Sequence, residues 1–105
     1  MKNEQEIFSI ISFSGESAGY AFQALDAIEN SEYEEAENLI AEGRKSAVDA
    51  HKIQTELLFN ECNGLDDTNS VSLMMVHAQD NLMNALLLLD LVEKLISVFK
   101  AKENR

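Results

Sequence analysis

Apolar and small side chains recur along this sequence at alternating steps of three and four residues, the spacing that gathers them on one face of an α-helix. In the first segment the row is Ile7, Ile11, Ser14, Ala18, Ala21, Leu25 and Ile28, which predicts a helix over about 4–29. It is expected to stop near Asn30, a residue that tolerates the left-handed conformation used after helix ends. Ser31-Glu32-Tyr33-Glu34 follows with the pattern of a capping box, so a second helix is predicted over about 32–61. Its row is Tyr33, Ala36, Ile40, Gly43, Ala47, Ala50, Gln54 and Leu57, mostly small residues that let a neighbouring helix approach closely. The stretch 62–70 is polar, contains Gly64 and has no period, and reads as a loop; a third helix is predicted over about 71–101. A short first turn makes the first two helices antiparallel neighbours, so the expected fold is all-α, a single domain over 1–105 built as an up-down-up antiparallel three-helix bundle.

The third helix is apolar on too many sides for a chain that acts alone. Met75, Ala78, Leu82, Ala85, Leu89, Val92, Ile96 and Phe99 form one unbroken row, suited to packing on the other two helices. Leu73, Val76, Asp80, Met83 and Leu87 form a second row with the same spacing, displaced by two residues, about 200° around the helix. An outward apolar row marks an interface, and a three-helix chain has no further element to cover it, so the third helix is expected to pack against copies of itself. Asp80 then falls inside that interface, where an isolated carboxylate is costly unless it is paired or bound to a cation.

Composition narrows the function. The absence of Pro and Trp and the presence of only 4 Gly agree with helices rather than a β-rich fold. A formal charge of -11 with 8 Lys and Arg excludes a nucleic-acid backbone as partner and favours a basic partner surface. Cys62 is the single cysteine, set among Glu61, Asn63, Asp66 and Asp67 with no nearby cation; it reads as a bystander in a chain suited to the reducing cytoplasm. Met1 to Gln5 lacks the pattern of a signal peptide, and the dense apolar stretch Ala85 to Val92 is broken by Asp90 and too short to span a bilayer, so no membrane insertion is expected.

The chemistry-bearing residues of the third helix are His77, Gln79, Asp80 and Asn81. His77 lies three residues before Asp80, so the two project on adjoining faces one turn apart, with the imidazole at the edge of the expected interface. A neutral imidazole there can take a phosphoryl group on one ring nitrogen, and it can equally be a structural histidine of a bundle. Metal catalysis is disfavoured: Val48 and Met74 stand three residues before His51 and His77, where the di-iron pattern needs Glu. No zinc signature, Gly-rich phosphate loop or Ser-His-Asp set is present.

Val71-Ser72-Leu73-Met74-Met75-Val76-His77-Ala78-Gln79-Asp80-Asn81-Leu82-Met83 resembles the active-site helix of the IIA component of the lactose/cellobiose (N,N′-diacetylchitobiose) branch of the bacterial sugar phosphotransferase system. Asp49-Ala50-His51-Lys52-Ile53-Gln54-Thr55 resembles that family's Ala-His-x-x-Gln-Thr segment, and the likeness extends over nearly the whole chain. The resemblance implies a phosphotransferase component, a homotrimer assembled through helix three that accepts a phosphoryl group from HPr and passes it to the cysteine of a IIB component. It implies that His77 is the phosphoryl acceptor and that Gln79 hydrogen-bonds at the phosphoryl site. It also implies that Asp80, one from each subunit, binds a divalent, Mg-like cation at the threefold axis. The Val-His-Ala-Gln-Asp run tilts the transported sugar toward cellobiose or chitobiose over lactose. The family commonly has histidine after Gln-Asp, where this chain has Asn81. No catalytic role carries over to His51, which is expected to be a buried helix-two histidine with a structural hydrogen bond. Two other classes stay open from the residues: a histidine phosphotransfer domain, whose His-x-x-Lys-Gly pattern Asp80 and Asn81 do not fit, and a non-catalytic helical interaction module.

Overall fold

The computed structural model describes residues 3–64 and 72–104. It holds three helices, α1 (Glu4–Glu29), α2 (Tyr33–Cys62) and α3 (Leu73–Glu103), and no strand among the described residues. Cross-helix partners fix the directions. Glu37 meets Lys100, Arg44 meets Asp90 and Gln54 meets Gln79, so α2 and α3 run in opposite directions. Ser17 meets Gly43 and Ser46 meets Glu16 across the α1–α2 seam, with Ile28 and Tyr33 packed on one cluster at its turn end. The bundle is therefore up-down-up, a rod of 58 × 19 × 18 Å.

Its core is thin and lined by small residues. One cluster joins Ala21, Ala24, Ala36, Ile40 and Ala47 to Leu89, Val92 and Ile96; a second joins Ile7, Ile10, Ala50 and Leu57 to Ala78 and Leu82. Gly43 marks the tightest approach: a Cβ there would fall 2.8 Å from Leu89 Cδ2 and 3.2 Å from the Ser17 carbonyl oxygen. Ser17 Oγ donates to the Gly43 carbonyl at 2.8 Å, a buried bond that holds α1 on α2 at this point.

Several sequence expectations are corrected. The buried row of α1 is Ile7, Ile10, Ser14, Ser17, Ala21, Ala24 and Ala27, whereas the expected Ile11, Ala18, Leu25 and Ile28 are half-buried flanks. α1 packs on two helices, and the seam with α2 draws Ser17 rather than Ala18 inward. Phe99, expected in the core row of α3, is 44% exposed. A strict three-four repeat drifts about 20° per heptad on a straight helix, so three heptads from Ala78 carry Phe99 off the core side.

The capping box does not form. Asn30 ends α1, Ser31 takes the left-handed conformation at φ 60°, and the Ser31 and Glu32 N–H groups donate to Ile28 and Ala27 carbonyls, both at 2.9 Å. That is a Schellman ending, with a serine in the place usually taken by glycine. The Ser31 hydroxyl donates to Glu103 of α3 rather than capping α2, and Glu32 is the N-cap without a side-chain bond. α2 continues to Cys62, which is exposed, and residues 65–70 of the expected loop lie outside the described residues. The true side-chain cap is Ser72, whose Oγ accepts from Met75 N at 3.0 Å and starts α3.

Candidate functional site

The site is built on the first turns of α3, whose three faces have different neighbours. Ala78, Leu82, Ala85 and Leu89 are buried in the bundle. About half a turn away, the second row stands in the open: Leu73 is 84% exposed and Leu87 67%, with Val76 and Met83 exposed between them. Asp80 lies in the middle of this row and is also exposed. Leu73, Val76, Asp80, Met83 and Leu87 thus form an apolar strip broken by one acid, with no described element of the chain across it.

His77 and Gln79 leave α3 on opposite flanks of that strip, about a quarter turn to either side. His77 is exposed, and neither it nor Asp80 makes a hydrogen bond or ion pair among the described residues. Its flank faces α1. Asn81 and Asn84 follow on it, and together with Ser14, Gly15 and Phe22 of α1 they line an apolar groove of about 420 Å³. Ser14 Oγ is buried there with no hydrogen-bond partner.

Gln79 faces α2. It is half-buried, and Gln54 Nε2 of α2 donates to its Oε1. This amide pair joins the two segments on which the family resemblance rests. It was not legible as a contact from spacing within either helix, although both residues stand in those segments. With its carbonyl engaged, the Gln79 amide nitrogen keeps its own donors for another acceptor.

His51 is not buried as expected. It is exposed on α2, beside a small cleft lined by Arg44, Val48, Lys52 and Leu86. Ala50 and Gln54 are the buried residues of that turn, and one step of about 100° puts His51 outside. His51 and His77 therefore open on opposite flanks of the chain. Arg44, on the His51 flank, is held by Asp90 at 3.0 Å and Glu93 at 3.2 Å.

Among the described residues no three His, Cys, Asp or Glu side chains gather to hold a metal ion. No described helix is long and apolar enough to cross a membrane.

Residues 5–100 match the family described as the PTS system, Lactose/Cellobiose specific IIA subunit. The chain belongs to this family. A lactose-specific EIIA component of Streptococcus mutans is 43% identical over 93 residues, covering 89% of this chain and 88% of the relative. A cellobiose-specific enzyme IIA of Bacillus anthracis superposes with a TM-score of 0.92 at 30% identity, covering 100% of this chain and 94% of the other. The IIA(Chitobiose) protein of Escherichia coli, solved in complex with HPr, superposes with a TM-score of 0.82 at 26% identity and covers 98% of both chains. The chain is thus a IIA component of the phosphotransferase system, with the three-helix fold of its family.

Proposed function

We propose that this IIA component carries a phosphoryl group on His77, taken from the phosphohistidine of HPr and passed to the cysteine of a IIB component during sugar uptake in the cytoplasm. The observation that carries the reading is the placement of His77: an exposed imidazole, engaged by no other described residue, on a rigid helix beside an apolar strip and an apolar groove. A ring nitrogen in that position attacks the phosphorus of a donor phosphohistidine in line; the new N–P bond forms as the donor's breaks, and the donor ring leaves with the electron pair. The second transfer repeats the exchange toward a thiolate. Little is asked of the protein beyond aim and docking. The apolar surroundings suit partners with hydrophobic docking faces, and a net charge of -11 suits a basic one.

The exposed strip of α3 supports a homotrimer in which three such strips meet. In that assembly three copies of Asp80 converge, and hard carboxylate oxygens are the donor set that suits a divalent, Mg-like cation. One chain supplies a single carboxylate, so the cation belongs to the trimer or to nothing. Gln79 cannot reach a group on His77 of its own chain, because the two lie on opposite flanks of the strip; across a threefold packing of strips the flank of one copy faces the other flank of the next. Its free amide donors then serve a phosphoryl group on the neighbouring copy.

Three relatives name three sugars, lactose, cellobiose and chitobiose. The same three are the candidates for this chain, with cellobiose or chitobiose favoured by the Val-His-Ala-Gln-Asp run.

Incubation with phosphoenolpyruvate, enzyme I and HPr, followed by intact-mass measurement, tests the carrier role. Wild type is expected to gain one phosphoryl group and His77→Ala none while keeping its helical spectrum. Acceptance retained by His77→Ala would refute the assignment.

A further inference from the structure

We infer that Gln54 of α2 is a positioning residue for phosphoryl transfer: by donating to the Gln79 side-chain carbonyl it turns the Gln79 amide hydrogens toward the phosphoryl group held by the neighbouring copy. This rests on the carrier and trimer readings given above. Gln54 is the one amide in the buried row of α2. Ala50 and Leu57, one turn to either side of it, belong to the apolar cluster that includes Ala78 and Leu82 of α3. An apolar residue would suit that row, and a buried amide there costs free energy unless it is paired. Its partner is a side chain on another helix rather than a backbone group: Gln54 Nε2 donates to Gln79 Oε1.

The pairing has a polarity. Two side-chain amides that meet end to end use one carbonyl and one amino group, and either glutamine can be the donor. With Gln54 as donor, Gln79 keeps its N–H groups for a phosphoryl oxygen. In the reverse order Gln79 presents its carbonyl instead, and two oxygens face each other. Gln79 is half-buried, so without Gln54 the inward-turned carbonyl loses its partner and the donor-out arrangement loses its advantage. The role is one of aim alone: no N–H bond of either glutamine breaks while the N–P bond forms on His77 and is passed on.

The test measures transfer from phospho-HPr, as maximal rate and KM, for wild type, Gln54→Met, Gln54→Glu, Gln79→Ala and the two double variants that combine Gln79→Ala with each change at Gln54. Circular dichroism checks folding, and methionine suits the apolar row, so the bundle is expected to hold. Gln54→Met keeps the length and removes the donor; it should slow the maximal rate on the order of fivefold, the effect of one neutral hydrogen bond, and leave KM within twofold. Gln54→Glu, which can only accept, draws the Gln79 amino group inward and should be slower still. In the Gln79→Ala background both changes should lose their effect, since no amide is left to turn. An intact Gln54→Met protein within twofold of the wild-type rate, a Gln54→Glu rate no slower than Gln54→Met, an equal slowing by Gln54→Met with and without Gln79, or a wild-type rate for Gln79→Ala would overturn the proposal. Failure of the carrier reading looks different: wild type and every variant alike then gain no phosphoryl group on His77.

Discussion

Replacing Gly43 by alanine is expected to destabilise the bundle, although the exchange favours the helix itself. In a helix interior alanine is better than glycine by about 1 kcal/mol. Here the added methyl lies 2.8 Å from Leu89 Cδ2 and 3.2 Å from both the Ser17 carbonyl oxygen and Tyr20 Cβ. Leu89 is fully buried and its end has little room to swing. The Ser17 oxygen is backbone, so α1 and α2 must part by a few tenths of an ångström and stretch the 2.8 Å bond from Ser17 Oγ to the Gly43 carbonyl. Overpacking of this kind costs about 1–3 kcal/mol and a weakened buried hydrogen bond about 0.5–1 kcal/mol. The net loss is about 0.5–3 kcal/mol, or roughly 2–24 °C in Tm for a domain of this size. Thermal and urea denaturation followed by circular dichroism, at one protein concentration, would measure it. Leu89→Ala alone should cost about 2–5 kcal/mol; in the Gly43→Ala background it should cost at least about 1 kcal/mol less, because the new methyl occupies vacated space. A rise in Tm for Gly43→Ala, or additivity of the two changes within about 0.5 kcal/mol, would show that the three helices do not meet as closely as described.

Asp80→Leu is expected to keep or strengthen the proposed trimer, since leucine continues the apolar strip and removes the repulsion among the three carboxylates that would meet there. Sedimentation showing a monomer would refute the assembly; chelation should shift the stability of wild type and leave the variant unchanged. The Glu103 carboxylate is held below its ordinary pKa of 4.5 by the Ser31 hydroxyl and then by the Tyr33 phenol, with Ser31 Oγ 2.5 Å from the carboxylate oxygen. A depressed carboxylate pKa stabilises the fold fully above the ordinary value and loses that contribution as pH falls through the folded one. As pH falls from neutrality through the lowered folded pKa of Glu103, wild type should therefore lose more stability than Glu103→Gln, and parallel pH curves would exclude the interaction.

The parts of the fold that were legible rest on periodicity sustained over many turns. The α2 row from Ala36 to Leu57 is buried as its spacing indicates, because small residues and a single glycine recur where the helices touch. The second row of α3 is outward for the same reason: its offset from Ala78 is a fixed angle of any helix. Signals confined to one or two residues served less well. Ser31 begins a capping-box pattern, yet the preceding helix end claims it for a left-handed turn and its hydroxyl then meets Glu103, far away in sequence. Ser72, which does cap a helix, stands in a polar stretch with several alternatives. His51 sits next to the buried Ala50, and burial was inferred from residue type where one step of rotation decided the matter. In the site, the pattern brought out His77 and Asp80, whereas the Gln54–Gln79 contact depends on how α2 and α3 are set against each other.

Side-chain size in this bundle is distributed inside out. Phe8, Phe22, Phe59 and Phe99 are all exposed, while Ala, Ser and Gly fill much of the seam between helices. With no Trp, absorption and fluorescence come mainly from Tyr20 and Tyr33, both half-buried at the helix seams, so these signals follow helix packing while the exposed phenylalanines add little to them. The exposed phenylalanine rings stand where another protein surface could cover them, so their burial would mark association without a matching change in the tyrosine signal.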